Sequence, residues 1–499
     1  MRRVFSNPVT ALVAGWCLRF FLVRQYPATS GDTGLYEQLA TNWLKHHAYA
    51  MNVAGAMIPV DLRMPGYPAF LALVYWLSGK TGPEARWWVM SAQVVVDLLT
   101  CLVTAALASV LVFLAFESVR PRRVFTAALW LAVLCPFTAN YVAVLLTETW
   151  ASFFTALALL FLCLLLLRFR GSIFFVDTVS VDLRAGAEWF GALAGFAAGL
   201  GALFRPETPL VLVAAWLVLG CYLLGRRRWL KMIKIFAFMG AGCVVPLIPW
   251  AVRNAVTLHE MQFLTPKNST LPTEIVPLGF VAWEKTWLFR MRDCYLVSWK
   301  LNDEAINLDD IPGHAFDTPE EKERVAKLLK FYNEDLSLTA EEDAGFGELA
   351  SERTARHPLR TYLSVPLKRS FMMWLTPRIE LLPYSGKVFP LAEAWQEDPI
   401  DQSVTAGFTV LNVLYLALTA WGAWRLWRQP EARVAVALLV AFMVLRTAFL
   451  TTLETPEPRY VLVCFPAMLA LAAQVFARNS AGKVSVSVPG DLPAPTPAP

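Results

Sequence analysis

Charged residues are scarce in this sequence. They make up 17% of its 499 residues, whereas hydrophobic residues make up 57%, which is more apolar surface than the cores of a soluble protein of this length require. The 44 Lys and Arg outnumber the 39 Asp and Glu by little, so the charge favours no nucleic-acid partner. Soluble globular, fibrous and collagen-like folds are therefore excluded, and the sequence predicts a membrane protein.

Cysteine and histidine are also few. Seven of the eight cysteines lie in apolar runs and only Cys294 lies in a hydrophilic region, so no disulfide framework is expected. The five histidines show no metal-ligand spacing. We expect no metal and no cofactor, with a weak divalent-cation site at Asp32 and Glu148 as the alternative.

The apolar runs predict an all-α polytopic membrane protein. A hydrocarbon core about 30 Å thick needs about 20 apolar residues per helix, and about ten such runs occur, with roughly 9 to 13 as the range. We place the spans near residues 8–26, 87–115, 124–142, 148–167, 187–204, 208–224, 233–251, 404–425, 434–453 and 460–477.

Basic residues recur in the short loops after every second predicted span, from Arg2 and Arg3 through Arg226–Arg228 to Arg433. The positive-inside rule then places both termini in the cytoplasm, and we expect a bacterial cytoplasmic (inner) membrane protein. The start of the chain could also be a secretory signal. Because Arg19 interrupts the first apolar run and no cleavage site follows, we expect an uncleaved first span.

These spans divide the chain into four parts. Residues 1–251 form an N-terminal transmembrane catalytic module with a first external loop at 27–86, and residues 252–403 form an external cap. Residues 404–478 form the C-terminal spans, and 479–499 read as a disordered cytoplasmic tail.

The composition of each predicted external segment indicates its structure. Aromatic residues in the first external loop predict helices lying in the membrane interface. Residues 259–362 carry 19 acidic and 12 basic side chains, so the cap is water-facing and acidic. Capping signals at Thr318 and Thr339 predict two helices there, and the cap is expected to be small and α-rich.

Two acidic residues lie at the external ends of predicted spans. Asp32 follows Gly31 just past the first span, and Glu148 begins the fourth. Asp32 could simply cap the helix that begins near Leu35, and Glu148 could simply interact with a helix dipole. An ionisable side chain near bilayer depth is nevertheless a functional candidate, because its burial is costly.

Arginines lie on the same predicted side. Arg205 and Glu207 end the fifth span and could form a plain ion pair, whereas Arg253 follows the seventh span and Arg459 opens the last. Snorkelling to the interface would account for Arg253 and Arg459. The more specific interpretation is that these arginines bind an anionic ligand, because guanidinium groups bind phosphate oxygens bidentately.

The order of these motifs resembles the type C membrane glycosyltransferases that use polyprenyl-phosphate sugars, in particular the protein O-mannosyltransferases and the lipid A aminoarabinose transferases. The resemblance covers most of the chain. It is carried by Gly31-Asp32 with Tyr36 and Ala40, residues 63–68, Thr147-Glu148, residues 203–207, Pro249-Trp250 with Arg253-Asn254, His357-Pro358 with Tyr362, and Glu457 with Arg459-Tyr460.

The resemblance implies a catalytic role for Asp32 and Glu148. It implies substrate contacts from Arg63, Tyr67, Arg205, Glu207, Arg253, Asn254, Arg459 and Tyr460. Protein O-mannosyltransferases usually have a second acidic residue where this chain has Thr33, which argues against a protein O-mannosyltransferase proper.

The expected reaction moves a sugar from a polyprenyl phosphate to an acceptor hydroxyl on the external face. Arg253 and Arg459 would stabilise the departing phosphate and Asp32 would be the base, giving inversion at the anomeric carbon. The acceptor could be an envelope lipid, a glycan or a protein, and membrane lipids are expected partners.

Two other functions stay open. A transporter or flippase for an anionic or lipid-linked envelope precursor would need ionisable residues spread through the bilayer. In this sequence the ionisable residues cluster on one side, and Asp97 and Arg446 are the exceptions. A noncatalytic partner in an envelope-polymer complex would keep the fold and lose the base.

Overall fold

The structure is a computed structural model that describes residues 7–116, 121–170, 174–176, 179–181, 186–266, 275–386 and 391–477. Within these ranges the chain is almost entirely helical, and its strands form two short antiparallel hairpins. The predicted all-α class is therefore confirmed. The predicted tail at 479–499 lies outside the described residues, as do Arg2 and Arg3.

The first half of the chain alternates long apolar helices with the shorter elements of the first external loop. Its elements are α1 (Pro8–Gln25), α2 (Gly31–His46), β1 (Ala50–Val53), β2 (Ala56–Pro59), α3 (Gly66–Ser78), α4 (Arg86–Ala115), α5 (Pro121–Val133), α6 (Pro136–Ala139), α7 (Glu148–Arg170), β3 (Phe174–Val176), β4 (Val179–Val181), α8 (Ala187–Ala202), α9 (Leu210–Gly225), α10 (Trp229–Val244) and α11 (Ile248–Thr257).

The second half consists of the cap and three further long helical segments. Its helices are α12 (Leu278–Lys285), α13 (Met291–Leu296), α14 (Pro319–Asp335), α15 (Ala340–Arg356), α16 (Val365–Leu375), α17 (Leu391–Glu397), α18 (Pro399–Trp427), α19 (Arg433–Leu450) and α20 (Phe465–Ala472), the last flanked by 3₁₀ turns at Pro458–Cys464 and Ala473–Phe476.

Each predicted span coincides with helix, but the expected count of about ten spans is not confirmed. Six described helical segments are long and apolar enough to cross a membrane, or seven if the bent pair at 121–143 counts as one span. The difference has a physical cause, since α8 and α9 have only 16 residues each and Arg19 and Arg24 lower the mean hydropathy of α1. The protein is a multi-pass membrane protein.

A buried ion pair joins three helices of this bundle. The Arg19 guanidinium donates to a carboxylate oxygen of Asp97 at 2.6 Å, and it also donates to the carbonyl oxygen of Val133 at 2.8 Å. Arg19 is fully buried and Asp97 is 3% exposed. Asp97, one of the two charges that the sequence left at bilayer depth, is therefore neutralised inside the protein.

The first external loop folds as two helices around a hairpin. In the hairpin, β1 pairs with β2 so that Ala50 faces Pro59 and Val53 faces Ala56. Ala54 and Gly55 form the turn and both have positive φ, as a tight two-residue hairpin requires. The loop then returns through α3, whose first residue, Gly66, donates its N–H to the carbonyl oxygen of Leu203 at 2.7 Å.

The cap begins its two main helices where the sequence predicted. The Thr318 hydroxyl accepts the N–H of Glu321 ahead of α14, and Thr339 and Glu342 form a complete capping box ahead of α15. Its core is aromatic and includes Phe280, Trp283, Trp287, Tyr332 and Phe346. Arg353 is fully buried in this core and pairs with Glu321.

A second buried arginine attaches the cap to the C-terminal spans. Arg369 in α16 donates to the carbonyl oxygens of Leu288 at 2.8 Å and Thr451 at 3.2 Å. Leu288 belongs to the cap and Thr451 follows α19. The cap is therefore held over the end of α19, close to the candidate site described below.

Helices α8 and α10 pack closely because glycines line their crossing. A Cβ added at Gly195 or Gly199 would overlap a carbonyl oxygen of α10, and one at Gly242 would overlap the carbonyl oxygen of Ala192. Gly240, also in α10, has nothing within 4 Å of such a Cβ. Small residues that let backbones approach are a common basis for helix packing in membranes.

We therefore expect Gly199→Ala to destabilise the protein by about 1–3 kcal/mol, because the new methyl group overpacks a backbone contact. Gly240→Ala is the matched control and should leave stability unchanged or slightly raised, since alanine is the better helix former. Thermal unfolding in detergent measures both. Equal melting temperatures for the two variants would contradict this packing.

Candidate functional site

Two cavities meet at Asp32. The arginine cavity, of about 620 Å³, is lined by residues that include Arg63, Arg205 and Arg459. The cap cavity, of about 840 Å³, is lined by cap residues that include Phe280, Tyr295 and Trp299. The two cavities share four lining residues, which are Asp32, Leu146, Arg459 and Tyr460. A group bound in either cavity would therefore lie beside Asp32.

Asp32 stands in the first turn of α2. Ser30 is the N-cap residue of this helix, and its N–H donates to the Thr33 hydroxyl at 3.0 Å. The alternative that Asp32 itself caps the helix is therefore wrong. The Asp32 carboxylate instead accepts a hydrogen bond from the Arg63 guanidinium at 2.7 Å, and its side chain is 29% exposed. A carboxylate with this much exposure can reach a ligand.

The surroundings keep Asp32 ionised. Burial favours the neutral acid, but Arg63, followed by Arg459 and Arg205, outweighs it and holds the pKa of Asp32 below its ordinary value. Opposite charges within a few ångströms favour the charged form of a carboxyl group. Asp32 is therefore a carboxylate throughout the physiological pH range.

Glu148 begins α7 and is almost completely buried. One of its carboxylate oxygens accepts a hydrogen bond from Arg205 at 2.7 Å and lies 3.7 Å from the Nε of Arg459. The other oxygen, Oε2, has no hydrogen-bond partner among the described residues. A buried polar atom of this kind is costly unless a ligand or water satisfies it.

Glu148 belongs to a series of ion pairs in which arginines and carboxylates alternate. Arg205 donates to Glu207 at 2.8 Å, and Arg446 donates to the same carboxylate at 3.2 Å. Although burial favours the neutral acid, Arg205 and then Arg446 hold the pKa of Glu207 at about 2. Arg446, the second charge that the sequence left at bilayer depth, is thus paired at this site.

On the other side of Glu148, the series of ion pairs ends at the start of the last span. Arg459 pairs with Glu457, and the Tyr460 hydroxyl donates to the same carboxylate. The Tyr460 ring lies 5.0 Å from the Arg205 guanidinium. We call the whole set the ionic chain; in contact order it is Arg446, Glu207, Arg205, Glu148, Arg459 and Glu457.

The ionic chain leaves donors free for a ligand. Among the described residues, the Nη2 group of Arg205 and the Nη1 group of Arg459 have no acceptor, because the carboxylates engage the other nitrogens of each guanidinium. Guanidinium groups held in this way are preorganised to bind an anion, since their side chains are already ordered.

Three of the predicted site residues lie elsewhere. Arg253 donates to the carbonyl oxygens of Tyr49 at 2.6 Å and Val60 at 2.9 Å, and it lines a different cavity. Asn254 is fully buried and accepts a hydrogen bond from Arg253. Tyr67 is also fully buried and donates to Gln93 at 2.7 Å. The structure does not bring these three to Asp32.

The structure adds residues that the sequence did not assign to the site. Glu457 and Arg446 complete the ionic chain, and the cap contributes aromatic walls to the cap cavity. Arg446 interrupts an apolar helix, which is a signal for function at bilayer depth. The cap residues carried no such signal, because aromatic residues are common in any core.

The acidic residues of the site were compared with the requirements of a metal site. The described residues contain no group of three His, Cys, Asp or Glu side chains placed to hold an ion. Asp32 and Glu148, the pair considered from the sequence, each already contact a guanidinium group.

No family model matches the sequence, and no curated protein matches it. Solved structures are similar. The oligosaccharyltransferase AglB from Archaeoglobus fulgidus, solved with an inhibitory peptide and a dolichol-phosphate, gives a TM-score of 0.46 at 13% identity over 94% of this chain and 50% of its own. ArnT from Cupriavidus metallidurans, solved with undecaprenyl phosphate, gives 0.39 at 15% identity over 90% and 77%.

The chain spans about half the length of the oligosaccharyltransferase. The TM-scores lie below 0.5.

Arg63→Gln should raise the pKa of Asp32, because the nearest cation is lost. The rate at which a carbodiimide labels Asp32 reports its protonated fraction, and peptide mass spectrometry at a series of pH values gives the midpoint. The midpoint should move to higher pH in Arg63→Gln and less in Arg63→Lys.

Arg86→Gln is the control for this experiment. Arg86 lies in the same part of the chain and pairs with Glu37 at 2.8 Å instead of with Asp32. It should leave the labelling midpoint of Asp32 unchanged. An unchanged midpoint in Arg63→Gln would show that Arg63 does not set the charge of Asp32.

Proposed function

We propose that this protein is a glycosyltransferase that moves a sugar from a polyprenyl-phosphate donor to an acceptor hydroxyl. The observation that carries the proposal is the position of Asp32, a carboxylate in the shared wall of two cavities. A base between two binding cavities is what direct transfer between two bound substrates needs, because the proton must leave the acceptor where the sugar arrives.

The arginine cavity suits the donor. Arg205 and Arg459 retain free N–H groups for a phosphate. Apolar side chains of α9 and α19 continue the wall, and two of them, Val213 and Phe449, are 37% and 41% exposed. An anionic head with a long apolar tail fits this combination, since the head meets guanidinium groups and the tail can extend along exposed apolar helices.

The cap cavity suits the acceptor. It lies between the cap and Asp32, and aromatic side chains such as Tyr295 and Trp299 form part of its wall. Aromatic rings commonly bind sugars and apolar chains alike through their flat faces. The acceptor, whether an envelope lipid, a glycan or a protein, would place one hydroxyl within reach of Asp32.

The chemistry needs no acid for the leaving group. The sugar's anomeric carbon is joined to a phosphate oxygen, and when this bond breaks the phosphate keeps the electron pair as an anion. Arg205 and Arg459 would stabilise the added charge. Asp32 would take the proton of the acceptor hydroxyl as its oxygen bonds to the anomeric carbon from the opposite side, so the configuration inverts.

Several further features belong to this proposal. Arg63 would orient Asp32, and Glu148 and Glu207 would hold the arginines in place. The reaction would take place at the external face of a bacterial cytoplasmic membrane, with both termini in the cytoplasm. A transporter finds less support, because Asp97 and Arg446, the two exceptions expected at bilayer depth, are each paired within the described part of the bundle.

Asp32→Asn should lower the rate of sugar transfer about 10²–10⁴-fold, the usual effect of removing a general base. Binding of undecaprenyl phosphate should stay within about twofold of the original, because Asp32 does not hold the phosphate. Release of label from radiolabelled undecaprenyl-phosphate sugars, to an acceptor or slowly to water, measures the rate. Native mass spectrometry measures the binding.

The control is Glu84→Gln, which removes an exposed carboxylate from the same part of the chain. It should change neither rate nor binding. Full activity in Asp32→Asn would refute the assignment of the base. Uptake of the labelled donor into proteoliposomes without chemical transfer would support a transporter, and lipid binding without either activity would support a noncatalytic partner.

A further inference from the structure

A third cavity lies beside α11, away from Asp32. We call it the α11 pocket. Its volume is about 440 Å³, which falls within the roughly 300–1,000 Å³ of small-molecule sites. Its lining residues are distinct from the described residues of the arginine and cap cavities. The wall is mostly apolar and includes Trp43, Tyr49, Ala69, Leu203 and Trp250.

The charge in this pocket has one sign. Among its described lining residues, Arg253 is the permanent cation and none is acidic. The Arg253 guanidinium lies 5.1 Å from the Trp250 ring and 5.3 Å from the Tyr49 ring. This differs from the arginine cavity, where carboxylates match the arginines. Asp61 acts on Arg253 electrostatically but does not line the pocket, so the cation that the pocket presents is complementary to an anion.

Arg253 also keeps donors for such an anion. A guanidinium group has five N–H groups. Among the described residues three of them have acceptors, which are the carbonyl oxygens of Tyr49 and Val60 and the side chain of Asn254. These bonds fix the Arg253 side chain, so it would lose little further conformational entropy when an anion binds.

The pocket adjoins exposed apolar side chains of a candidate membrane span. Pro246, Pro249, Arg253 and Thr257 line the pocket from one stripe of α11 and the residues just before it. The neighbouring stripe consists of apolar residues that are about half exposed or more, which are Val245, Ile248, Val252 and Val256. Both stripes recur at helical spacing and belong to a candidate membrane span, Trp229–Thr257.

The position of Arg253 on this span matches the level of lipid headgroups. It lies one turn before the end of the span at Thr257, where long basic side chains reach phosphate groups while their stems stay in apolar surroundings. An apolar chain entering from the exposed stripe would reach Trp43 and Trp250 while its phosphate meets Arg253.

We propose that the α11 pocket binds an anionic membrane phospholipid, with the headgroup phosphate at Arg253 and the upper part of one acyl chain against Trp43 and Trp250. The proposal is independent of the proposed function. A bound lipid would brace the β1–β2 hairpin, because Arg253 also holds the carbonyl oxygens on both sides of it. Gly66 and Leu203 would lie between this lipid and the arginine cavity.

The test uses the full chain in phosphatidylcholine nanodiscs that contain a phosphatidylglycerol with a diazirine in its acyl chain. Irradiation and peptide mass spectrometry should place cross-links on Trp43 or on residues 246–257. The same diazirine on phosphatidylcholine should cross-link there less. Arg253→Gln should reduce the phosphatidylglycerol cross-link about fivefold, the effect of one basic side chain at an anionic surface.

A second variant keeps the test independent of the hairpin bonds of Arg253. Ala69→Phe fills the pocket and should abolish the cross-link with Arg253 intact. The controls are Arg24→Gln, which removes an exposed arginine at the end of α1, and Leu217→Phe on the exposed face of α9. Both controls should leave the cross-link unchanged.

Four results with the original protein, and one with a variant, would overturn the proposal. They are the absence of a cross-link at the pocket in the original protein, equal yields from the two lipids, displacement by glycerol phosphate, which would indicate a site for small anions, and displacement by undecaprenyl phosphate, which would assign the pocket to the donor. Retention of the cross-link in Ala69→Phe would likewise place the lipid outside the pocket.

Discussion

The ionic chain is the interaction on which the site depends. Its six members come from the start of α7, the connection between α8 and α9, the C-terminal part of α19 and the start of the last span. Three of these charged residues are buried and three are half-buried, and each is tolerated because a partner of opposite sign contacts it. Removing one partner of a buried pair costs about 3–5 kcal/mol, because it leaves the other charge unpaired.

The ionic chain also explains why the arginine cavity and the cap cavity meet at one point. Arg459 contacts Glu148 on the side of the arginine cavity and Glu457 on the side of the cap cavity, and Arg459 lines both. Asp32 stands beside it at the start of α2, oriented by Arg63. Because Arg369 fastens the cap near the end of α19, the second cavity is closed by a domain that is itself anchored to the span bearing Arg446.

Much of this fold could be predicted from the sequence. The ten apolar segments are helical because their periodicity and length leave little alternative, and the cap helices begin at Thr318 and Thr339 because capping is local chemistry. The β1–β2 hairpin was not predicted, since Ala54 and Gly55 make a weaker turn signal than Asn-Gly would. The expected count of about ten spans is not confirmed, because several of the described apolar helices are shorter than a span requires.

The candidate site, like the fold, could be predicted from the sequence only in part. Asp32, Glu148, Arg205, Glu207 and Arg459 do meet, because the ends of neighbouring spans that carry them converge on one face. Arg253 lies on a span with the same sequence signal, yet its guanidinium turns to backbone carbonyls of the hairpin. Sequence shows where an arginine lies along a span, but not which acceptors its side chain reaches, and that decides its role.

The most direct measurement is a cryo-electron microscopy structure of the protein with undecaprenyl phosphate. The account predicts that the phosphate lies within hydrogen-bond distance of Arg205 and Arg459, with the prenyl chain leaving along Val213 and Phe449. A phosphate bound at Arg253 in the α11 pocket, or separated from Asp32 by packed side chains, would contradict it.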